Sequence, residues 1–227
     1  MLALDLQPEA SEDPGILCVK TDVTRRGVIE AALALCRDRF ADVPSGLVNN
    51  AGIDSPPDAP LAENGPFETY PQASLEKVLA VNVGGVVLCT QVFGQAMAER
   101  GRGSIVNICS TYGLVSPDQR LYEFRRRGGQ EFYKPVGYSV SKSALLNLTR
   151  YAATYWGARG VRVNTLTLGG VYNNQDPEFV EAYVSRVPLG RMARPDDYSG
   201  AMLFLLSDMS SYMTGANLVV DGGWTAW

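Results

Sequence analysis

The sequence predicts an α/β fold in which helices cover both faces of a doubly wound parallel sheet. Three observations support this prediction. Short apolar segments alternate along the chain with longer segments of helical periodicity, as in strand–helix–strand units. The apolar segments are compatible with strands that are buried on both faces. Polar residues or glycines follow them, at the strand ends where ligands bind in such sheets.

The N-terminal half contains four predicted strands and two predicted helices. Apolar runs predict strands over residues 1–6, 16–23, 46–48 and 104–109. Periodicity predicts a helix over residues 25–40, capped by Thr24, with an apolar face of Ala31, Ala32, Leu35 and Cys36. A second helix is predicted over residues 74–100, after a polar loop that contains Pro56, Pro57, Pro60 and Pro66.

The C-terminal half continues the alternation. Residues 111–137 are predicted to be irregular, and a helix follows from Tyr138 to near Gly157. Further segments are a strand over 161–166, helices over 177–187 and 195–206, and a last strand over 217–220. We expect one crevice at the carboxyl ends of the strands, lined by Asp5, Asp22, Asn50, Ser110 and the Leu168–Gly169–Gly170 turn.

Composition indicates one globular domain over residues 1–227. Hydrophobic residues make up 46% and charged residues 19%, which is ordinary for such a domain. The formal net charge of -4 argues against a nucleic-acid partner. The sequence has no signal-peptide pattern and no apolar run that we expect to span a bilayer. Four cysteines without metal-ligand spacing predict free thiols, a cytoplasmic protein and no metal site.

The chain has no histidine. This absence excludes serine–histidine hydrolase chemistry and removes the commonest general base. Acid–base chemistry must therefore use tyrosine, lysine, aspartate or glutamate.

Tyr138 and Lys142 form a candidate pair for that chemistry. They are four residues apart in a predicted helix, so they lie on one helical face. A phenol has a pKa of about 10, and a nearby ammonium favours the phenolate. The pair alone is also compatible with a packing aromatic and a solvated lysine, and the other motifs decide between these interpretations.

Several motifs, in this order, resemble the short-chain dehydrogenase/reductase family. They are Asn49-Asn50-Ala51-Gly52, Asn82, Ser110 with Gly113, Tyr138 with Lys142, Val163-Asn164-Thr165, Thr214-Gly215 and Val220-Asp221-Gly222-Gly223. The resemblance extends from Met1 to about Thr225 and implies a Rossmann-like fold.

The resemblance implies four catalytic residues. Tyr138 would be the general acid/base, and Lys142 would lower the pKa of Tyr138 and hold the nicotinamide ribose. Ser110 would hydrogen-bond the substrate oxygen. Asn82 would hold a water molecule that relays protons from Lys142.

The resemblance also implies a nicotinamide dinucleotide cofactor. Besides Tyr138 and Lys142, its expected contacts are Asp22 and Val23 at the adenine, Asn50, Ala51 and Gly52 beside the adenosine ribose, and Val171 at the carboxamide. Asp5 would hold the ribose hydroxyls and repel a 2′-phosphate, so NAD is favoured over NADP.

The start of the chain departs from the family pattern. Family members open with a strand and a glycine-rich turn that places backbone N–H groups against the pyrophosphate. None of the 23 glycines has this spacing, and the chain begins where the second family strand is expected. We therefore expect a shortened form of a longer protein that lacks the first strand–turn–helix unit, with two strand edges unpaired.

The segment between Ser110 and Tyr138 also departs, because its span of 138 − 110 = 28 residues exceeds the usual family spacing. Arginines, lysine and aromatic residues are interleaved within it. A substrate-recognition lid and a solvated surface loop or subunit contact both remain open at this point.

The predicted function is interconversion of a secondary alcohol and a ketone, on a sugar-like or other polar substrate, by an NAD(P)-dependent oxidoreductase. One alternative is a catalytically silent homologue that acts as a binding or assembly subunit; a nucleotide-sugar epimerase or dehydratase fits less well because no added substrate domain is present. We expect a small-molecule substrate and a homodimer or homotetramer. The oligomer prediction depends on helix residues Leu145, Leu148, Ala152, Tyr155 and Trp156 and on the aromatic segment Trp224–Trp227.

Overall fold

The structure, a computed structural model, describes residues 1–54 and 61–227. Three prolines of the predicted loop, at positions 56, 57 and 60, lie outside this part of the chain. The described strands are β1 (Leu2–Asp5), β2 (Leu17–Lys20), β3 (Gly46–Asn49), β4 (Gly103–Ser110), β5 (Val161–Leu168) and β6 (Asn217–Val220).

Helices connect these strands in the predicted alternation. The longer ones are α1 (Arg26–Phe40), α3 (Gln72–Leu79), α4 (Val86–Arg100), α6 (Val136–Trp156), α7 (Pro177–Val184) and α8 (Ser199–Leu206). Two short helices complete the set, α2 (Leu61–Asn64) and α5 (Glu123–Arg127). The α/β class with parallel strands is confirmed.

All strand pairs are parallel. Four strands form one sheet in the order β3-β4-β5-β6, and β1 pairs with β2 in a separate two-stranded sheet. Within the described residues, β1 and β3 each pair on one side only. A cavity of about 490 Å³ lies between them, lined by residues of both strands and by α4. The cavity stands at the place where the sequence predicts a missing strand.

Apolar side chains cover both faces of the larger sheet. On one face, Ile105 of β4 packs with Met97 of α4 and Trp156 of α6. On the other face, the next residue of β4, Val106, packs with Leu205 of α8. Because successive residues of a strand point to opposite faces, the uninterrupted apolar run in β4 serves both layers.

A wide helical turn interrupts the long predicted helix. Residues Ala80–Gly85 form a π-helical segment between α3 and α4, and Asn82 is buried within it. Among the described residues, the continuous helix Gln72–Arg100 is long and apolar enough to cross a membrane. Half of its most apolar stretch is buried inside the protein, where α4 packs against the sheet, as in a core helix.

The structure corrects two local predictions in the N-terminal half. Thr24 does not cap α1, because its N–H and hydroxyl both donate to the Asp22 carboxylate (2.9 and 2.7 Å). The N-cap is Arg25, without a side-chain hydrogen bond. Leu35 is 46% exposed and Ala31 is also exposed, whereas Ile29 and Leu33 are buried with Ala32 and Cys36. The buried face is therefore rotated about the helix axis, away from Ala31 and Leu35 and towards Ile29 and Leu33.

Two predictions in the C-terminal half also change. Residues 111–137 are not irregular throughout, since they contain α5 and two short 3-10 turns. Trp224 is buried in its own chain, with its ring 4.3 Å from that of Tyr183, whereas Trp227 is exposed. In α6, Leu145, Ala152 and Trp156 face the interior of the same chain.

Candidate active site

Three of the predicted catalytic residues line one cavity of about 510 Å³. Ser110 is the last residue of β4, while Tyr138 and Lys142 lie in the first two turns of α6. Helix α6 packs against β4 and β5, and this packing places its first turns beside the carboxyl ends of those strands. The cavity therefore opens where a parallel sheet is expected to bind its ligand.

The Ser110 side chain lies beside the Tyr138 hydroxyl and lowers the pKa of that phenol. The Ser110 oxygen accepts the backbone N–H of Tyr112 at 3.2 Å, which fixes the serine side chain. Two hydroxyls thus face the same point of the cavity, and an oxygen placed there can receive a hydrogen bond from both.

Lys142 is buried close to Tyr138. Its ammonium donates to the carbonyl of Ile108 at 2.9 Å and stands 5.7 Å from the centroid of the Tyr138 ring. Burial lowers the pKa of Lys142. Burial also raises the pKa of Tyr138 to about 12, against the lowering effect of the Ser110 hydrogen bond. The expected lowering of the tyrosine pKa is therefore not found in this arrangement, because desolvation of the phenol dominates.

Asn82 holds the turn that follows β3. Its amide nitrogen donates to the Ile53 carbonyl (2.9 Å) and the Ser141 hydroxyl (3.0 Å), and its oxygen accepts the Ile53 N–H (2.7 Å). The wide turn between α3 and α4 brings this amide to the site. Asn82 therefore connects the β3 turn directly to helix α6.

The turn Asn50–Ala51–Gly52 borders two cavities. Asn50 lines both, Gly52 lines the cavity with Tyr138, and Ala51 lines the cavity between β1 and β3. Val171 lines the first cavity, whereas Asp5 and Val23 line the second. Asp22 lines neither of the two cavities, and its carboxylate accepts the N–H and hydroxyl of Thr24.

An elongated dinucleotide fits this pair of cavities at its two ends. A Cβ at Gly52 would stand 3.6 Å from the Lys142 Nζ and 3.3 Å from the Asn82 Oδ1, so glycine keeps space in front of the ammonium. At the other end, Asp5 supplies a carboxylate at the carboxyl end of β1. The part of the chain that the structure describes places no glycine-rich turn between these ends to receive a pyrophosphate.

Besides Tyr138, six aromatic residues line the first cavity. We call this set the aromatic wall: Tyr112, Tyr122, Phe124, Phe132, Phe179 and Tyr183. Four of its members, from Tyr112 to Phe132, belong to the long segment between Ser110 and Tyr138, for which the sequence left a lid and a surface loop open. Phe179 and Tyr183 lie in α7 and carry no local motif.

Lys134 and Asp54 form an ion pair that also lines the cavity. The Lys134 side chain is only 10% exposed, and its ammonium lies 5.1 Å from the centroid of the Tyr138 ring. The Asp54 carboxylate raises the pKa of Tyr138, as a secondary cause after burial. Sequence reasoning missed Asp54, which follows the Asn50–Gly52 motif without a recognisable pattern.

The fold and the site together define an oxidoreductase of the nicotinamide-dinucleotide type. A family model described as enoyl-(acyl carrier protein) reductase matches residues 3–225. The chain belongs to the short-chain dehydrogenase/reductase family. It is an NAD(P)-dependent enzyme that interconverts a secondary alcohol and a ketone.

Similar proteins include two bacterial dehydrogenases. The chain is 38% identical to galactitol 2-dehydrogenase (L-tagatose-forming) of Cereibacter sphaeroides, over 87% of this chain and 72% of that protein. It is 36% identical to cis-4-hydroxycyclohexanecarboxylate dehydrogenase of Sinomonas cyclohexanicum, over 92% of this chain and 77% of that protein.

A similar solved structure contains the oxidised cofactor. It is a short-chain dehydrogenase of Leptospira borgpetersenii with bound NAD+, at a TM-score of 0.85 and 31% identity. The alignment covers 99% of this chain and 82% of that one. The parallel sheet and the order of elements are therefore shared along nearly all of the present chain.

Proposed function

We propose that Tyr138 is the acid/base of an NAD-dependent alcohol–ketone interconversion at this site. The observation that carries the proposal is the meeting of Ser110, Tyr138 and Lys142 in one cavity beside the Asn50–Gly52 turn. In a chain without histidine, a tyrosine beside a serine hydroxyl and a buried lysine is the candidate with the best geometry for moving a proton.

The proposed roles follow from the positions of the atoms. The Tyr138 phenol takes the hydroxyl proton of a bound alcohol, or gives its proton to a ketone oxygen in the reverse direction. The Ser110 hydroxyl donates to the same oxygen and stabilises negative charge on it. A bound nicotinamide would supply the other half of the chemistry, by exchanging a hydride with the carbinol carbon.

We propose that Lys142 and Asn82 support this reaction. The buried ammonium of Lys142 favours the phenolate form of Tyr138 and holds a ribose hydroxyl in front of Gly52. Asn82 positions the β3 turn through its two hydrogen bonds to Ile53. We also propose that Asn82 holds a water molecule, since its amide lies between that turn and α6.

We infer that NAD is the preferred cofactor. Asp5 ends β1 and lines the cavity that would receive the adenosine half. A carboxylate there accepts hydrogen bonds from ribose hydroxyls and repels a 2′-phosphate. The bound NAD+ in the Leptospira structure agrees with this preference. Replacing Asp5 by asparagine should narrow the preference for NAD over NADP.

The substrate is proposed to be a polar small molecule, sugar-like or otherwise. The named relatives include a galactitol dehydrogenase and a dehydrogenase of a cyclic hydroxy acid, which support both kinds. We further propose a cytoplasmic homodimer or homotetramer with neither nucleic acid nor membrane as partner. The exposed, stacked rings of Tyr151 and Tyr155 on α6 support the oligomer.

The test uses an extended form, in which a family-type strand, glycine-rich turn and helix are fused before Met1. NADH formation is followed with galactitol and cis-4-hydroxycyclohexanecarboxylate, with and without the substitution Tyr138→Phe. We expect turnover that requires Tyr138, and circular dichroism should show the same fold in both proteins.

A further inference from the structure

Tyr138 has one lysine four residues before it in the sequence and another four residues after it. These are Lys134 and Lys142. Helical spacing accounts for Lys142 alone, because α6 begins at Val136 and Lys134 precedes it. The Lys134 ammonium still lies 5.1 Å from the centroid of the Tyr138 ring, compared with 5.7 Å for Lys142. Contacts outside α6 must therefore hold Lys134 in place.

The side chain of Gln119 holds the backbone of Lys134. Its amide nitrogen donates to the Lys134 carbonyl (3.1 Å), and its amide oxygen accepts the Lys134 N–H (2.8 Å). We call these two bonds the Gln119 clamp. Pro135, the N-cap of α6, follows directly and favours an extended backbone at the residue before it. The clamp and the proline together fix the backbone from which the Lys134 side chain extends.

The clamp belongs to a folded segment and not to a loose loop. The Arg126 guanidinium donates to the carbonyl of Gln119 (2.7 Å) and to that of Phe132 (2.8 Å), which joins the two ends of the segment. The Phe132 side chain is buried. The fold of this segment therefore sets the distance between the Lys134 ammonium and the Tyr138 ring.

A second contact holds the charged end of Lys134. The side chain is largely buried, and its ammonium forms an ion pair with Asp54 at the first cavity. The Asp54 carboxylate raises the pKa of Tyr138, because a negative charge opposes formation of a phenolate. The Lys134 ammonium offsets that charge at the place where the phenolate would form.

Other elements also bring titratable and polar groups to the cavity around Tyr138. Besides the tyrosines of the aromatic wall, they are Lys142 on α6, Ser110 and Cys109 on β4, Arg125 on α5 and Asp176 before α7. Burial raises the pKa of Cys109, so this thiol is uncharged at neutral pH. A test of Lys134 must therefore leave these groups unchanged.

We infer that Lys134 is a positioning residue for the reaction proposed at Tyr138, and that Gln119 sets the place of its ammonium. The inference rests on the proposed function and adds a residue to that same site. The ammonium offsets Asp54 and stabilises the phenolate form of Tyr138. The long segment before α6 thus acts on the acid/base through Lys134.

NMR of the lysine ammonium groups in the 227-residue chain tests the positioning without any turnover. Ring currents of Tyr138 should shift the Lys134 signal, which is assigned by its loss in Lys134→Gln. We expect this shift to disappear in Tyr138→Leu and to decrease by half or more in Gln119→Met. An unchanged Lys134 signal in a folded Gln119→Met protein would overturn the inference.

Gln130→Met is the matched control for the clamp. Gln130 lies in the same segment, but its amide oxygen accepts an N–H of Arg125 (3.1 Å) and does not touch Lys134. The Lys134 signal should keep its position in this variant. A displacement as large as that in Gln119→Met would show a general response of the segment and would also overturn the inference.

The pH profile of kcat/KM for alcohol oxidation by the extended form tests the effect on Tyr138. In Lys134→Gln the increase in rate should occur at a pH about one unit higher, and Lys134→Arg should stay near the wild type. Gln119→Met should shift the profile in the same direction, with no further shift when it is combined with Lys134→Gln.

The same measurement separates this inference from the proposed reaction. An unshifted profile in Lys134→Gln, or additive shifts in the double variant, would overturn the role of Lys134 or of the clamp, while turnover that requires Tyr138 would leave the proposed reaction standing. Turnover that persists in Tyr138→Phe would reject the proposed reaction itself.

Discussion

The ammonium of Lys134 lies 5.1 Å from the centroid of the Tyr138 ring, on a side chain that also pairs with Asp54. Lys142 approaches the same ring to 5.7 Å. The proposed acid/base is therefore flanked by two ammonium groups, one of which is balanced by a carboxylate. Because Asp54 raises the pKa of Tyr138 and an ammonium near a phenol lowers its pKa, the Lys134–Asp54 pair gives a direct way to adjust it.

Changes to that pair should shift the pH profile of alcohol oxidation in opposite directions. Lys134→Met removes a positive charge 5.1 Å from the Tyr138 ring, which raises the pKa of Tyr138, and Asp54→Asn lowers it. Oxidation needs the phenolate, so its rate increases with pH. This increase should occur at a pH about one unit higher in the first variant and at a lower pH in the second. The profile of kcat/KM in the extended form measures this. Shifts of the same sign in both variants would contradict it.

Asp118 should stabilise the wall in a pH-dependent way. Hydrogen bonds from Arg120, and then from Arg186, hold the pKa of Asp118 well below its usual range. A lowered pKa gives stability that is present above the unfolded value, near pH 4, and is lost as pH falls. Asp118→Asn should therefore lower the free energy of unfolding by about 1–2 kcal/mol at neutral pH, after allowance for partial exposure.

Urea unfolding at several pH values measures this effect. The difference between wild type and Asp118→Asn should shrink towards zero as the carboxylate is protonated. Asp208→Asn is a control, because Asp208 forms an ion pair whose side chains are 82% and 67% exposed. A constant difference at all pH values would show that Asp118 acts by packing and not by charge.

The α6 surface should mediate self-association. The rings of Tyr151 and Tyr155 stack at 6.1 Å and are 67% and 63% exposed. Burial against a second copy would remove this apolar area from water. Light scattering should give a multiple of 24.6 kDa for the wild type and a smaller assembly for Tyr155→Asp. Tyr212→Asp, at a fully exposed site, should change nothing, and a monomeric wild type would refute the prediction.

The 227-residue chain should bind NAD weakly. The cavity between β1 and β3 offers contacts at Asp5 and Asn50, but the described residues supply no glycine-rich turn for the pyrophosphate. Each missing charge-assisted hydrogen bond costs roughly 1.5–3 kcal/mol, so two or three weaken binding by several powers of ten. Titration calorimetry on this chain and on the extended form makes the comparison. Micromolar affinity in the shorter form would be incompatible with this account.

The sheet and the reacting residues were predictable because their signals are local. Each strand of the sheet is an apolar run that ends in a turn, and β6 matches its prediction to the residue. Tyr138 and Lys142 are brought together by helical spacing alone. Asn82 was predicted as a site residue, although the wide turn that brings its amide to the site has no sequence signature that we recognised.

The aromatic wall of the first cavity was less predictable from the sequence. Its rings come from two separate parts of the chain, and the contact between Tyr122 and Phe179 depends on tertiary packing. The long segment before α6 seemed irregular because its arginines and aromatics follow no helical period. One of those arginines, Arg126, instead binds the backbone carbonyls of Phe132 and Gln119. The raised pKa of Tyr138 also depends on burial, which a sequence motif does not report.

The most direct test of the account is the rate of NADH formation by the extended form, measured for wild type and Tyr138→Phe. The substitution removes only the hydroxyl beside Ser110 and leaves the ring in place. We predict turnover of a secondary alcohol by the wild type and a loss of about a thousandfold or more in kcat for the variant, with NAD affinity nearly unchanged. A folded Tyr138→Phe enzyme that keeps most of its activity would contradict the assignment of Tyr138 as the acid/base.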